Sequence, residues 1–129
     1  MGFHKFISAI ISGKEIEIYG TGEQTRDFTF IDDAVEANLQ AFLRGKEGEI
    51  YNIGGGSRIG LIRAIKAIEE ISGEKARLKY TEPQRGDARH TYADISKAKR
   101  DLGYNPKVDI YEGLKRHYEW LRNNLDIYK

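Results

Sequence analysis

The sequence predicts a mixed α/β fold, a small helix-rich domain with few short strands. Apolar residues recur at helical spacing in several segments that end in glycine, and short β-branched or aromatic runs lie between them. The chain contains no internal repeat, linker or low-complexity stretch. Its 129 residues can build a core of their own, so we predict a single domain over residues 1–129. Because its strands are few and widely separated, they should make a poor independent sheet.

Composition narrows the possible partners. Apolar residues make up 40% of the chain, charges of both signs are interspersed, and the net charge is +1. These features do not indicate nucleic acid or a membrane as a partner, and no apolar run approaches the roughly 18 residues that span a bilayer. The start of the chain lacks the features of a signal peptide and cysteine is absent, so we expect a cytoplasmic protein. The histidines are scattered, and we expect no metal site.

The first two predicted elements are a helix and a strand. Apolar residues between Phe3 and Ile11 repeat at helical spacing, and Gly13 ends the pattern. Residues Ile16–Tyr19 then read as a short strand.

The stretch YGTGEQTRDFTFIDD, residues 19–33, organises the rest of the chain. Gly20 and Gly22 predict a turn with positive φ. The aromatic and β-branched run Phe28–Ile31 predicts a strand. Asp32 is expected to stop that strand and to cap the helix that follows.

Arg26 lies at the mouth of this predicted strand, next to the glycine turn. A cation held there is well placed to meet an anion such as a phosphate. Alternatively, Arg26 pairs with Asp27, Glu23 or a carbonyl and only fixes the turn. Spacing alone leaves both interpretations open.

Two helices and two strands are predicted next. The first helix ends at Gly45, and its apolar face carries Val35, Leu39, Phe42 and Leu43. A strand is predicted at Glu49–Ile53, then a helix closed by Gly73, then a strand at Arg77–Tyr80.

The C-terminal part begins with an irregular loop at Pro83–Asp87. Asp94 is expected to cap a short helix that stops at Gly103. The last helix carries one apolar stripe of Ile110, Leu114, Tyr118, Leu121 and Leu125.

Three motifs are candidates for binding or catalysis. Gly54–Gly56 lacks the G-x-G-x-x-G and Walker patterns, so a tight strand-to-helix turn is favoured over a phosphate loop. Tyr111 and Lys115 have the spacing of a dehydrogenase catalytic pair, but no cofactor fold precedes them, and we interpret them as surface residues. The loop Gln84–His90, with two arginines and an aspartate, could bind a phosphate and a hydroxyl or be a solvated loop.

Taken in order, the segments YGTGEQTRDFTFIDDAVEA, EIYNIGGG and RGDARHTYADISKAKRDLGY resemble the C-terminal part of nucleotide-sugar epimerases and dehydratases. These enzymes are extended short-chain dehydrogenases, and the UDP-glucose 4-epimerases are the nearest in pattern. The resemblance covers roughly residues 3–124.

The resemblance implies a set of substrate contacts. Arg26 would grip the UDP diphosphate, for which the planar fork of a guanidinium is suited. Tyr19 would lie against the uracil, and Phe28 would line the same pocket. Asp87 would accept a hydrogen bond from a ribose hydroxyl.

The sequence departs from the family pattern in two places. Where the family has an Arg-x-Gly-Asp loop, this chain has Gln84 in the arginine position and Arg85 one place later. The second phosphate contact would then come from Arg85 if the loop shifts, or more weakly from Gln84. Near Gly60 the family usually has a serine or threonine that caps the next helix, and here that cap is missing.

A larger departure is that the family's first half is absent from this sequence. That half carries the glycine-rich dinucleotide loop, the Rossmann sheet and the catalytic tyrosine and lysine. The resemblance therefore implies NAD in the complete enzyme, but no catalytic or cofactor-binding residue and no NAD site in this chain alone. Apolar faces on residues 32–44 and 49–53 would lack cover, so we expect a Rossmann-type half or another copy of the chain as partner, the latter giving a homo-oligomer.

Two functions follow from this resemblance. The first is the UDP-sugar-binding part of an NAD-dependent sugar 4-epimerase, catalytically incomplete by itself and binding UDP-sugar weakly. The alternative is a non-catalytic binding or assembly module, or the substrate domain of a nucleotide-sugar dehydratase.

Overall fold

The computed structural model describes residues 2–128, with Tyr128 described by its backbone alone. Its elements follow the order α1 (Gly2–Ile11), β1 (Glu15–Tyr19), β2 (Thr25–Asp27), α2 (Ile31–Arg44), β3 (Arg58–Gly60), α3 (Leu61–Ser72), β4 (Arg77–Thr81), α4 (Ser96–Leu102), α5 (Ile110–Asn123) and a 3-10 turn (Leu125–Tyr128). The predicted mixed α/β class is confirmed. The chain divides into two compact units. The first unit comprises the described parts of residues 1–24, 60–89 and 111–129, and the second comprises residues 25–59 and 90–110.

The first unit is built on a parallel pair of strands. β1 and β4 pair in register from Glu15 opposite Arg77 to Tyr19 opposite Thr81. α1 packs against β1 and α3. The buried apolar side chains of this unit come from α1, β1, α3 and α5, and they are Ile7, Ile10, Ile16, Ile18, Ala64, Ile65, Ile68, Leu114 and Leu121. The predicted helical and strand periodicities therefore account for the core of the first unit.

One polar contact joins two helices of the first unit. The ring centroids of His4 on α1 and His117 on α5 lie 6.0 Å apart, with the rings tilted by 33°. Burial, followed by the positive charge of His4, lowers the pKa of His117 below its ordinary value of 6.5.

The start of α3 is held by backbone carbonyls of the glycine turn that follows β1. Gly60 occupies the N-cap position and provides no side-chain cap, as the sequence indicated. Instead the amide of Leu61 donates to the carbonyl of Gln24 at 3.0 Å, and the amide of Ile62 donates to the carbonyl of Gly22 at 3.2 Å. Gly22 has φ 78°, and a Cβ there would lie 2.6 Å from Cγ1 of Ile62. The predicted glycine turn is confirmed, and this close approach requires a glycine.

The second unit has a smaller core between α2 and α4. Its buried members are Ala37, Ile95, Ala98, Leu102 and Tyr104. β2 and β3 form a two-stranded sheet. Gly60, the last residue of β3, is assigned to the first unit. The hydroxyl of Tyr104 donates to the carbonyl of Gly54 at 2.7 Å inside this unit.

The predicted strand at Phe28–Ile31 is wrong. The strand lies earlier, at Thr25–Asp27, and α2 already begins at Ile31. Asp32 is not the cap either, because Phe30 occupies the N-cap position without a side-chain hydrogen bond. The aromatic run has strand propensity, but its backbone enters the helix directly, with the Ala34 amide donating to the Phe30 carbonyl at 3.1 Å.

The predicted strand at Glu49–Ile53 is also wrong, because the segment forms no strand. A strand needs a neighbouring ladder for its backbone groups, and within residues 2–128 no strand pairs with this segment. Its neighbour is a side chain, since Lys97 Nζ donates to the carbonyl of Ile50 at 2.9 Å and pairs with the Glu49 carboxylate.

The apolar face predicted for α2 is exposed. The unit buries Asp33 and Ala37 on the opposite side of the helix, and Phe42 remains 86% exposed. Other large apolar side chains exposed on α2 or just beyond it are Ile31, Val35, Leu39, Leu43 and Ile50. Across residues 2–128, no helix is both long and apolar enough to span a bilayer.

Candidate functional site

The predicted site residues are divided between the two units. The first unit contains Tyr19, Gln84, Arg85 and Asp87, whereas Arg26 and Phe28 belong to the second.

In the first unit, Tyr19 ends β1 at the carboxyl end of the parallel strands. The Gly20 amide donates to the carbonyl of Thr81 at 2.9 Å, and Gln24 Nε2 donates to the Tyr19 carbonyl at 3.0 Å. Tyr19 is 39% exposed, and its hydroxyl donates to the Glu17 carboxylate at 3.4 Å. Tyr19 is therefore held at its backbone and is exposed to solvent in part.

The loop after β4 leaves from the same end of these strands. The Asp87 amide donates to the Gln84 carbonyl at 3.3 Å, which closes a turn. Gly86 takes φ 86° in that turn, a conformation that glycine adopts readily. Gln84, Arg85 and Asp87 are all exposed. Within this unit the structure thus brings Tyr19 and the start of the loop to one end of the sheet.

In the second unit, Arg26 lies in the middle of β2 and is half-buried. Its Nη1 donates to the carbonyl of Thr25 at 2.9 Å. One part of the alternative interpretation, a contact with a carbonyl, is therefore present. Phe28 follows the strand and is also half-buried.

The residue before Arg26 is held by the segment that begins at His90. Thr25 Oγ1 and His90 Nδ1 are 2.8 Å apart, and the Thr91 amide donates to the Thr25 carbonyl at 3.1 Å. No local pattern indicates these contacts, because Thr25 and His90 lie 65 positions apart.

The residue after Arg26 is held on two sides. Asp27 Oδ1 accepts from the Gly55 amide at 2.8 Å, and Asp27 Oδ2 accepts from the Ala93 amide at 3.2 Å. Sequence reasoning considered Asp27 only as an ion-pair partner for Arg26. The structure instead uses its carboxylate to join three segments of the second unit.

Asp33 has an equivalent role elsewhere in the second unit. Its side chain is buried and accepts from the amides of Lys107 at 2.9 Å and Val108 at 3.1 Å. Burial, then the negative charges of Asp33 and Asp27, raises the pKa of Tyr104 above its ordinary 10.0. The second unit is therefore organised by carboxylates that bind backbone amides.

The glycine run at residues 54–56 makes room for neighbouring groups. A Cβ on Gly54 would lie 2.6 Å from Asp27 Oδ2, and a Cβ on Gly55 would lie 2.1 Å from the Phe28 carbonyl oxygen. Both positions therefore require glycine because of crowding within the unit. The strand-to-helix turn predicted here is modified, since no strand precedes the run and β3 follows it before α3.

Tyr111 and Lys115 lie on α5 and both are exposed, in agreement with their interpretation as surface residues. In the described part of the chain, no group of three or more histidine, aspartate or glutamate side chains could hold a metal ion.

Comparison with known proteins shows a clear relationship. The sequence model of the GDP-mannose 4,6-dehydratase family matches residues 2–117. A UDP-glucuronate 4-epimerase of Thermodesulfobacterium geofontis is 40% identical over 130 residues, which is 100% of this chain and 40% of the relative.

Solved structures show the same relationship. The UDP-glucuronic acid 4-epimerase of Bacillus cereus, in complex with UDP-glucuronic acid and NAD, superposes with a TM-score of 0.91 at 36% identity, covering 96% of this chain and 40% of that one. The UDP-glucose 4-epimerase of Thermotoga maritima, with UDP-glucose, gives 0.90 at 38% identity, covering 95% and 40%. The chain thus spans about two fifths of the length of these relatives.

Proposed function

We propose a function for this chain from one premise: it belongs to the GDP-mannose 4,6-dehydratase family, and its relatives include UDP-sugar 4-epimerases. The proposed function is to bind the nucleotide sugar within an NAD-dependent UDP-sugar 4-epimerase, with the chain catalytically incomplete by itself. The observation that carries this proposal is the TM-score of 0.91 to a structure that holds UDP-glucuronic acid and NAD.

In the second unit, the proposed contact is between Arg26 and the diphosphate. The strand that carries Arg26 is fixed on both sides by Thr25 and Asp27. A fixed guanidinium loses less freedom when it forms paired hydrogen bonds with phosphate oxygens. Phe28, two residues along, would add apolar contact.

In the first unit, the proposed contacts come from the carboxyl end of β1 and the loop after β4. The exposed ring of Tyr19 would stack on the uracil. The exposed carboxylate of Asp87 would accept from a ribose hydroxyl, and Gln84 or Arg85 would donate to a phosphate oxygen.

We infer that this chain alone does not hold the dinucleotide part of NAD. A dinucleotide loop uses glycines so that the backbone can approach the pyrophosphate. In this chain a Cβ on Gly54 would meet Asp27 and a Cβ on Gly55 would meet the Phe28 carbonyl, so these two glycines serve packing within the second unit. We assign no step of the hydride chemistry to this chain.

The proposal is tested by titrating the purified chain with UDP while recording amide NMR shifts. One hydrogen bond to a charged group contributes about 1.5–3 kcal/mol, and a millimolar complex requires about 4 kcal/mol. We therefore expect shifts at Arg26 in the second unit and at Tyr19 in the first, and each should saturate at a Kd near or above about 1 mM. Arg26→Ala should weaken UDP binding toward the affinity for uridine, which has no phosphate, and leave the response to uridine unchanged.

A UDP response that persists unchanged in Arg26→Ala would disprove the proposed phosphate contact. Arg26→Lys is the matched variant, because it keeps the charge but lacks the planar fork, and it should bind with intermediate affinity. Epimerase turnover by the purified chain alone would contradict its catalytic incompleteness.

A second candidate, an assembly module, is favoured by the exposed apolar face of α2. Phe42 is 86% exposed and Ile50 is 82% exposed. We propose a Rossmann-type half as the partner, because the relatives matched here are each covered to only 40% of their length. Light scattering should show a complex when such a half is added, and Phe42→Glu should prevent it. A concentration-dependent dimer of the chain alone would instead indicate a second copy as partner.

A further inference from the structure

The side chains of β2 alternate between two faces, as in any strand. Thr25 and Asp27 share one face, where they contact His90 and the Ala93 amide. Arg26 therefore projects from the opposite face. The two neighbours of Arg26 in the strand are thus held by contacts of their own side chains, on the face away from the guanidinium.

The Asp27 contact leaves little freedom to its partners. Its two oxygens accept from Gly55 and Ala93 at 2.8 and 3.2 Å. Behind it, the Cα of Gly54 is close enough that a Cβ there would lie 2.6 Å from Oδ2. The carboxylate is therefore seated on main chain, which does not adjust as a flexible side chain would.

We propose that Asp27 is a positioning residue for Arg26: by holding β2 between Gly55 and Ala93, it fixes the direction in which the guanidinium meets a diphosphate. This inference rests on the proposed function. Asp27 does not touch the ligand, and it acts only through the backbone that it shares with Arg26.

The chemistry of the carboxylate explains why this position needs an aspartate. Two amide N–H donors face it, and an ionised carboxylate offers an acceptor oxygen to each. An asparagine offers one oxygen, and its NH₂ group would face the second N–H donor. Asp27→Asn therefore keeps the size of the side chain but loses one of the two bonds.

Asp33 provides a matched control in the same unit. It also accepts from two backbone amides, at 2.9 and 3.1 Å, but it lies on α2 and holds residues 107 and 108. Asp27→Asn and Asp33→Asn should both reduce the urea midpoint of unfolding. A merely structural role would make the two variants equivalent in ligand binding as well.

The experiment measures UDP and uridine affinities by NMR for the wild-type chain and both variants at a temperature where all are folded. We expect Asp27→Asn to weaken UDP binding about tenfold, equivalent to about 1.4 kcal/mol, with uridine binding unchanged. Asp33→Asn should bind both as the wild-type chain does. Thr25→Val, which removes a weaker anchor of the same strand, should reduce UDP affinity about twofold and keeps the test open if Asp27→Asn does not fold.

The outcomes separate this inference from the proposed function. If Arg26→Ala weakens UDP binding while Asp27→Asn and Thr25→Val bind UDP as the wild-type chain does, the positioning role is wrong and the proposed function stands. If Asp27→Asn weakens uridine and UDP equally, or Asp33→Asn weakens UDP equally, the effect is general loss of structure and the inference fails. If Arg26→Ala itself binds UDP normally, the phosphate contact and the inference fail together.

Discussion

The two units of this chain are stabilised in different ways. The first buries apolar side chains of α1, β1, α3 and α5 around a parallel strand pair. The second has a smaller apolar core, and its loops are joined by Asp27, Asp33 and Tyr104, each of which binds backbone groups. Apolar burial tolerates adjustment more readily than polar contacts of fixed geometry. The second unit should therefore be the more sensitive to small changes near its backbone.

The largest effect is expected for Gly55→Ala in the second unit. A Cβ at this position would lie 2.1 Å from the carbonyl oxygen of Phe28, which is a backbone atom. The backbone must move, and we expect a loss of about 3 kcal/mol or more in the free energy of unfolding, measured by urea denaturation. Gly60→Ala is the control, because φ there is negative and nothing lies within 4 Å of its Cβ. If both substitutions cost the same, crowding is not what fixes the glycine run.

A smaller effect is expected for Tyr104→Phe. This change keeps the ring in the core but leaves the carbonyl of Gly54 without the 2.7 Å hydrogen bond from the hydroxyl. A buried acceptor without its donor costs about 1–3 kcal/mol. Tyr111→Phe, at an exposed position of α5, should cost almost nothing in the same denaturation assay. An equal cost for both would mean that the Tyr104 hydroxyl does not contribute to stability.

The smallest effect is a pH dependence in the first unit. Burial and the neighbouring His4 lower the pKa of His117 below 6.5, so the folded chain binds this proton less readily than the unfolded chain. The contribution of neutral His117 to the free energy of unfolding is therefore fully present above about pH 6.5 and is lost as the pH drops below it. The carboxyls of Glu49 and Asp94 have pKa values lowered below 4.5 and 3.8 and lose their charge only at lower pH.

Thermal unfolding between pH 7.5 and 5.5 measures this dependence. His117→Phe should remove the part of the decrease that is due to the imidazole and leave the rest. An identical decrease in the variant would assign the pH dependence to another group.

The sequence predicted the first unit well because its structure is local. Helical spacing of apolar residues gave α1 and α3, alternation gave β1, and glycines with positive φ ended the helices at Gly13 and Gly73. Such patterns repeat over a few residues and can be read without knowing their partners.

The second unit was predicted less well because its structure depends on distant partners. The aromatic run at Phe28–Ile31 and the apolar run at Glu49–Ile53 have strand propensity, but a strand forms only where another ladder is available. The partners of Asp27 and Asp33 lie 28 to 75 positions away, and an aspartate carries no local signal of such contacts. Its place beside the glycine turn and the family resemblance both pointed to Arg26 as a candidate, but neither indicated the residues that hold its strand.

The two backbone hydrogen bonds at the start of α3 have a consequence for anion recognition. Helix N-termini often bind phosphates, because free amides and the macrodipole attract negative charge. Here the Leu61 and Ile62 amides already donate to the carbonyls of Gln24 and Gly22. A phosphate that bound these two amides would have to displace both carbonyls, so the two amides should remain protected from hydrogen exchange even when the chain is saturated with UDP.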